Sequence, residues 1–560
     1  MAKWEKKDNA KTVWDVIKRN TGLTKQEFFA EKEYEIKGLD ELAEYILNAI
    51  KNKTPISIVG DYDADGITAS AIMATTLNHL GTKPRIRLPR RISEGFGLSE
   101  TIVDEINEGI IITVDNGIAA VDAVKKAKEK GLTVIITDHH LPNDDNILPD
   151  ADFIINPHLP GTADFTEYCG AGIAYKLCCK LTDDEKIKAI ISGFAAIGTV
   201  ADMMPILYDN RKIVIEGLKN LVNPETRTTG MGAILEICNL NNHITTTNIS
   251  FKIGPILNAA GRLYDNGAMI SLTAIAYNGS YEKALELAEN LIHINEERKE
   301  YVSKTMEEAY LNISTNCLYG DNPLCLYIPN MSEGIVGIIA GRLAEEMKVS
   351  SIVLTDSEQP GILKGSARGY GEVNIKDVLD ANKHLLVKYG GHAGAAGLSV
   401  KKEDFMELKD SLINYVDKLP IAVQKDVIYY DLDIVPADIP KMINEQKKYE
   451  PYGFGNPKPI FRIEGFELFP RYSEFYKLKG QDNSTITLYG QYADATGFGM
   501  AEKYNEMNRP KRLNIIGIIG ENHFMGKVRN EVEIIDKESN VKIIEKTSLA
   551  SLLEKKALER

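Results

Sequence analysis

Ile56-Ser57-Ile58-Val59-Gly60-Asp61-Tyr62-Asp63-Ala64-Asp65-Gly66 is an apolar run that breaks into three alternating acids. It reads as a buried strand leading into an acidic loop, and the helical pattern that starts at Ile67 and continues toward Leu80 places the acids between strand and helix. In α/β sheets ligands bind at that edge. Alternate residues of an extended chain share a side, so Asp61, Asp63 and Asp65 are expected next to one another, where like-charged carboxylates resist ionising together. A hard divalent cation is the simplest counter-charge. D-x-D-x-D-G also opens an EF-hand loop, but that loop follows a helix and ends in a glutamate at its twelfth position. Counted from Asp61 that position is Ile72, and a strand precedes. A catalytic or phosphate-facing metal site is the stronger reading.

The same grammar repeats outward from this stretch. A strand at Ile110–Val114, a helix at Ala119–Lys130 and strands at Leu132–Ile136 and Phe153–Ile155 predict an α/β fold with a parallel, helix-flanked sheet. Val114-Asp115-Asn116-Gly117 ends one strand and Thr137-Asp138-His139-His140 ends the next. One aspartate after a strand is explained as a helix cap. Acids and histidines after every strand of one sheet are not. Asp202, where a helix over Ile190–Ile197 runs into a turn, completes the set, because a pair of divalent cations needs more carboxylates than one loop supplies.

A chain of 560 residues predicts two to four domains. The net charge of -14 argues against a generic nucleic-acid coat, although a local basic groove is compatible with it. Cys169, Cys178, Cys179, Cys238, Cys317 and Cys325 form no C-x-x-C pair, as expected of reduced, mostly buried thiols. The charged start Met1–Lys7 leads into no apolar h-region, and no apolar run reaches membrane-spanning length. These features predict a soluble, cytoplasmic protein with no membrane partner.

Residues 1–50 read as a charged helical segment bracing the sheet, with Leu39, Leu42, Tyr45 and Ile46 on one face; 51–230 hold the alternation described above. Residues 231–320 connect, through Ile253-Gly254-Pro255-Ile256-Leu257-Asn258-Ala259-Ala260-Gly261-Arg262 and a long helix over Tyr281–Ile313 that lacks Gly and Pro, a strut between domains. Residues 321–415 repeat the strand and helix logic in a smaller α/β domain and carry Gly365-Ser366-Ala367-Arg368 and Gly390-Gly391-His392-Ala393-Gly394-Ala395-Ala396-Gly397. Glycines admit backbone N–H groups close to an anion, although tight turns use them equally. Residues 420–540 change to short strands, which predicts a small Greek-key barrel of the OB type. Such barrels hold single strands by stacking and charge. Tyr452, Phe454 and Tyr476 are candidate rings, with an aromatic core as the competing explanation. Residues 541–560 form a charged helical tail without a readable role.

Taken in order, Asp61–Gly66, Val114–Gly117, Asp138–His140 and Ala201-Asp202 resemble the four motifs of the DHH phosphoesterase superfamily, and Gly390–Gly397 resembles its associated DHHA1 domain. Within the superfamily the chain is similar to the RecJ family of single-strand-specific 5′→3′ exonucleases. Supporting stretches are Pro89–Leu98, Cys169–Ala174, Asn258–Arg262, Gly365–Arg368 and Pro451–Pro457. Where that family carries Trp-His before Glu333-Gly334, this chain has Met331-Ser332. The resemblance implies metal-dependent release of 5′-mononucleotides from single-stranded DNA in repair and recombination. It implies that Asp63, Asp65, Asp115, His139 and Asp202 hold two Mn2+ ions, with Mg2+ as the alternative, ~3.5–4 Å apart for an in-line displacement. Asp115 is the expected bridge; Asp61, Asp138 and His140 lie in or near the surrounding shell. It further implies a 5′-phosphate pocket of Arg91, Ser366 and Arg368, with Arg262, Gly391 and His392 on the neighbouring phosphates. Short RNA is an alternative substrate, and helicase or single-strand-binding partners are not readable from the residues. The rival readings are a small-substrate phosphodiesterase acting on very short RNA or cyclic dinucleotides, and a non-catalytic single-strand-binding relative.

Overall fold

The computed structural model describes residues 3–30, 32–91, 93–142, 147–420, 427–480, 482–524 and 527–539. The chain forms two compact units: the described parts of Met1–Ala30 with Lys425–Arg560, and of Glu31–Gln424.

In the larger unit, β1 (Ile56–Val59), β2 (Arg85–Arg87), β3 (Ile110–Val114), β4 (Thr133–Thr137) and β5 (Phe153–Ile155) make a sheet of order β2-β1-β3-β4-β5. Every pairing is parallel. The order reverses between β1 and β3, and the crevice at the carboxyl ends beside such a reversal is where open α/β sheets bind ligands. Asp61 follows β1 and Asp115 follows β3, so the expected acids flank that crevice. β1 and β3 are buried throughout, as a sheet covered on both faces requires.

The helix after β1, α1, spans Ala64–His79 and begins earlier than its apolar pattern suggests. Asp63 is its N-cap, accepting from the Asp65 and Gly66 amides at 3.1 Å each. The expected extended row of three acids is therefore corrected: Asp61 lies on the loop, Asp63 caps the helix and Asp65 sits in its first turn. Capping wins because it satisfies amides that a helix start leaves without partners.

Further along, α2 (Gly170–Leu181), α3 (Glu185–Ala201) and α4 (Tyr208–Val222) pack behind α1, and α5 (Gly254–Leu263) follows a π-helical turn. The long helix α6 spans Tyr281–Thr315. Ala284, Ala288, Leu291 and Ile294 of its first half belong to the core of the first sheet. Val302, Met306, Ala309 and Ile313 of its second half pack with α7 (Glu333–Met347) and β6 (Leu324–Tyr327). One apolar face serves both cores, as a strut must. β6, β7 (Ser351–Asp356), β8 (Ile362–Arg368), β9 (Leu386–His392) and β10 (Ala395–Lys401) form a second sheet of order β9-β10-β8-β7-β6. Its register sets Gly397 opposite Ser366 and Ala395 opposite Arg368, so both glycine-rich motifs lie side by side.

The smaller unit holds a seven-stranded sheet running from Leu432–Ile434 at one edge to Tyr476–Lys479 at the other. It curls back on itself where Leu468 bridges Gly490 and the Phe469 amide donates to Tyr489 O at 2.8 Å, the closure expected of a small barrel. Lys3–Lys6 pairs in parallel with Val427–Tyr430. The expected bracing segment 1–50 is thus divided: residues 3–30 belong to this unit, whereas the helix Leu39–Lys51 buries Leu39, Leu42, Ala43 and Ile46 in the first core. Tyr452 is core, 5% exposed with its hydroxyl donating to Gln446 O. Tyr476 packs edge-on against Tyr504, and Phe454 is exposed. The expected tail 541–560 lies outside the described residues.

Candidate metal centre

Carboxylates and imidazoles reach one edge of the first sheet from four segments. His139 Nε2 lies 3.2 Å from Asp115 Oδ1, 3.7 Å from Asp202 Oδ2 and 3.8 Å from Asp65 Oδ2. Ligand atoms of Asp65, His139 and Asp202 fall within 4.8 Å of one another, as do those of Asp115, His139 and His140. Among the described residues, neither of these groups includes Asp61 or Asp63. Buried Asp115 Oδ1, Asp202 Oδ2 and Asp61 Oδ1 have no hydrogen-bond partner among the described residues. Orphaned carboxylate oxygens at such a convergence fit a hard or borderline divalent cation, which also suits the mixed oxygen and imidazole donor set.

The electrostatics match that reading. Burial, then the Asp63 charge, pushes Asp61 up to about 7. Burial, then Asp65 and Asp63, pushes Asp202 up to about 8. Asp115 is driven far above the ordinary carboxylate range by burial and by Asp65, Asp63, Asp61 and Asp202. Asp63 is raised by burial and Asp65. Burial lowers His139, which keeps its imidazole neutral and able to ligate. His140 differs: its Nδ1 sits 2.8 Å from Asp138 Oδ1, and that hydrogen bond raises it to about 9. Asp138 also accepts from the Ile118, His139 and His140 amides, so it orients the loop.

Neighbouring backbone holds the acids in place. Asp65 accepts from the Gly170 and Ala171 amides at 2.6 and 2.9 Å, at the amino end of α2, where the helix dipole favours negative charge. A Cβ on Gly170 would stand 2.3 Å from Asp115 Cβ, and one on Gly198 would stand 2.6 Å from Asp65 Oδ1. Both glycines let helices touch the acids. Asn116 donates to Val59 O and Val114 O and accepts from the Leu98 amide, tying the ends of β1 and β3. Nothing in the sequence marks Cys169–Ala174 as holding Asp65, because a backbone donor has no side-chain signature. Asn116 lies inside the Val114–Gly117 motif.

The expected anion-binding residues fall into two groups. The Arg91 guanidinium lies over the Tyr62 ring, 4.6 Å from its centroid, and Tyr62 faces exposed Phe96. Arg262 donates to Gly334 O at 3.1 Å and is lowered to about 10 by burial, then by Arg91 and Arg298. In the second group, Arg368 donates to Ser366 Oγ at 2.6 Å and is lowered by burial. None of Arg91, Arg262 and Arg368 pairs with a carboxylate among the described residues. The amino-terminal half of α7 touches both groups: a Cβ on Gly334 would meet Arg262 O at 2.0 Å, and one on Gly337 would meet Arg368 Nη2 at 2.8 Å. Ser332 caps that helix and donates to Arg262 O, and Met331 is buried, so Met331-Ser332 has a structural role of its own. Gly391 has φ 145, with Ala395 O 2.3 Å from where a Cβ would stand; exposed His392 accepts from the Gly394 amide through Nδ1.

Comparison with known proteins agrees along the chain. Residues 55–199 match the DHH family N-terminal domain, 320–418 the DHHA1 domain and 430–536 the RecJ OB domain. The chain is 34% identical over 518 residues to the single-stranded-DNA-specific exonuclease RecJ of Bacillus subtilis, covering 90% of this chain and 64% of that protein. It is 33% identical over 459 residues to the same exonuclease of Salmonella typhimurium, covering 76% of this chain and 78% of that one. The crystal structure of RecJ in complex with Mn2+ from Thermus thermophilus superposes with a TM-score of 0.76 at 24% identity, over 94% of this chain and 76% of the other, a likeness of fold.

Proposed function

The chain belongs to the RecJ family of DHH phosphoesterases, and on that premise we propose that it is a metal-dependent exonuclease that removes 5′-mononucleotides from single-stranded DNA in the 5′→3′ direction, in repair or recombination. The observation that carries this is the meeting of acids and a neutral imidazole from three strand ends and α3, with orphaned oxygens, in a chain that also has an OB domain. The OB domain disfavours a small-substrate phosphodiesterase, and the intact acid set disfavours a non-catalytic relative.

In this reading Asp63, Asp65, Asp115, His139 and Asp202 hold two divalent cations, Mn2+ by donor type and Mg2+ as the alternative, with Asp61 close by. Bound there, the ions supply Lewis acidity toward a water and a phosphate oxygen. Asp115 would be the carboxylate that the two ions share. His140, fixed by its Nδ1 hydrogen bond to Asp138, stands beside the acids. Arg91, Ser366 and Arg368 bind a terminal 5′-phosphate, which carries more charge than an internal diester and suits the rigid donor fork of arginine. Arg262, His392 and the Gly391 backbone hold the following phosphates. The domain limits we assign are 51–230 for catalysis, 231–320 for connection, 321–415 for substrate binding and 420–540 for the OB domain. We place the protein in the cytoplasm; no described helix is long and apolar enough to cross a membrane.

Digestion of end-labelled single-stranded and duplex DNA, and of RNA, with Mn2+, Mg2+ or EDTA tests the reading. Mononucleotides released from the 5′ end of single-stranded DNA and abolished by EDTA are expected. Digestion from the 3′ end refutes both the pocket and the polarity, and efficient cleavage of RNA extends the substrate class.

A further inference from the structure

We propose that Asn210, Asp209 and Tyr168 are positioning residues of the metal centre, acting through backbone rather than by touching metal or substrate. The proposal rests on the reading above of Asp65 and Asp202 as ligands. Asn210 is fully buried at the start of α4, and its Nδ2 donates to Glu167 O at 2.5 Å and Pro205 O at 3.1 Å. Glu167 lies just before Gly170, whose amide holds Asp65; Pro205 lies just after Asp202. One side-chain amide therefore fixes the separation of the segment that cradles one acid and the segment that delivers another.

Its neighbour Asp209 works on the same joint. Asp209 Oδ2 accepts from Tyr168 Oη at 2.5 Å and Lys176 Nζ at 2.7 Å, and the Tyr168 ring is wholly buried beside the cap of α2. Cys169, that cap, accepts from the Gly172 amide and contacts Thr199 Oγ1 on α3 at 3.6 Å. The α2 amino end and the α3 carboxyl end are thus pinned to a common anchor on α4. Without the Asn210 amide, the carbonyls of Glu167 and Pro205 lose the donor that they share, and the two segments are free to drift. Outer partners that fix ligand geometry typically govern about 10–100-fold in metal affinity.

The test is calorimetric titration of Mn2+ into EDTA-treated, full-length wild type, Asn210→Ala, Tyr168→Phe and Asn220→Ala, with metal-free thermal melts of the same samples. Asn220 is the control: it sits on α4 and donates to Ser192 Oγ, away from the two loops. Asn210→Ala should weaken Mn2+ binding roughly tenfold or more, Tyr168→Phe less but in the same direction, with most of the digestion rate recovered at saturating Mn2+. Asn220→Ala should lower the melting temperature and leave Mn2+ affinity unchanged. Wild-type affinity in folded Asn210→Ala and Tyr168→Phe overturns the proposal, as does an equal affinity loss in Asn220→Ala. Where Asn210→Ala fails to fold, Tyr168→Phe decides alone. A wild type that takes up no Mn2+ overturns the metal reading as well, which separates the two failures.

Discussion

Asp115 stands at φ 64, in the left-handed region that most L-residues avoid and Asp and Asn tolerate best. Asp115→Asn is therefore the clean deletion of its charge, whereas alanine would add backbone strain. Digestion by Asp115→Asn should fall on the order of a thousandfold, the several kcal/mol that a metal clamp supplies, while the metal-free protein melts higher because it no longer has to hold protonated a carboxyl that burial, then Asp65 and Asp63, disfavour as an anion. Near-normal Mn2+-dependent turnover would remove Asp115 from the centre. The pH dependence follows from the same repulsion. Asp61 near 7 and Asp202 near 8 lie above the unfolded carboxylate range, and His140 near 9 lies above unfolded histidine. At these three groups the metal-free native state keeps protons that the unfolded chain has released, so their contribution to its stability is lost as pH rises from about 4 to about 9, opposed only below about 6.5 by His139, which burial holds neutral. Metal uptake discharges the carboxyl protons. The stabilisation given by saturating Mn2+ should accordingly grow over that window, measured as the difference between melts with Mn2+ and with EDTA; a difference that shrinks with pH contradicts the assignment. The identities of these acids were readable because strand ends repeat the same residue types. Their hydrogen-bond duties were not, because Asp63 as a cap and Asp63 as a ligand have one spelling.

At the scale of elements, α7 shows what a local pattern conceals. Its span is legible from apolar spacing, but nothing in the spacing says that Gly334 abuts Arg262 and Gly337 abuts Arg368. That contact depends on how the second sheet docks against the helix, which no short window encodes. Gly337→Ala places a methyl 2.8 Å from a guanidinium nitrogen, the far end of a flexible side chain, so the arginine yields and the fold survives. Digestion of 5′-phosphorylated strands should slow severalfold in Gly337→Ala, with 5′-hydroxyl strands much less affected. Arg368→Ala should show the same asymmetry more strongly. Equal slowing of both substrates, in steady-state assays on matched oligonucleotides, would move Arg368 from the terminal phosphate to the general backbone.

At the scale of the molecule, the pairing that the sequence hides most completely joins its first strand to one that opens the OB-containing part. Lys3–Lys6 lies beside Val427–Tyr430, a pairing between strands too distant in the chain to leave a local signature. Trp4 donates to Asp536, Trp14 and Phe28 pack on Tyr449, and buried Asp431 meets Arg19 and Lys7. The OB-containing unit is therefore incomplete without residues 3–30. A truncation near residue 420 that keeps the amino terminus strands Trp4, Trp14 and Phe28 without partners and should aggregate through them. A fragment of residues 31–420 removes both parts of the unit and leaves the core of Glu31–Gln424 whole. That fragment should stay monodisperse and digest very short single strands at near the full-length rate, because the acids and the arginines all lie within it. It should bind long single strands more weakly, with a shallower salt dependence, since phosphate contacts are lost. Binding titrations with short and long oligonucleotides at two salt concentrations check this. Unchanged affinity for long strands would leave the barrel with a purely structural role, and loss of short-strand cleavage in a folded fragment would place part of the chemistry outside residues 31–420.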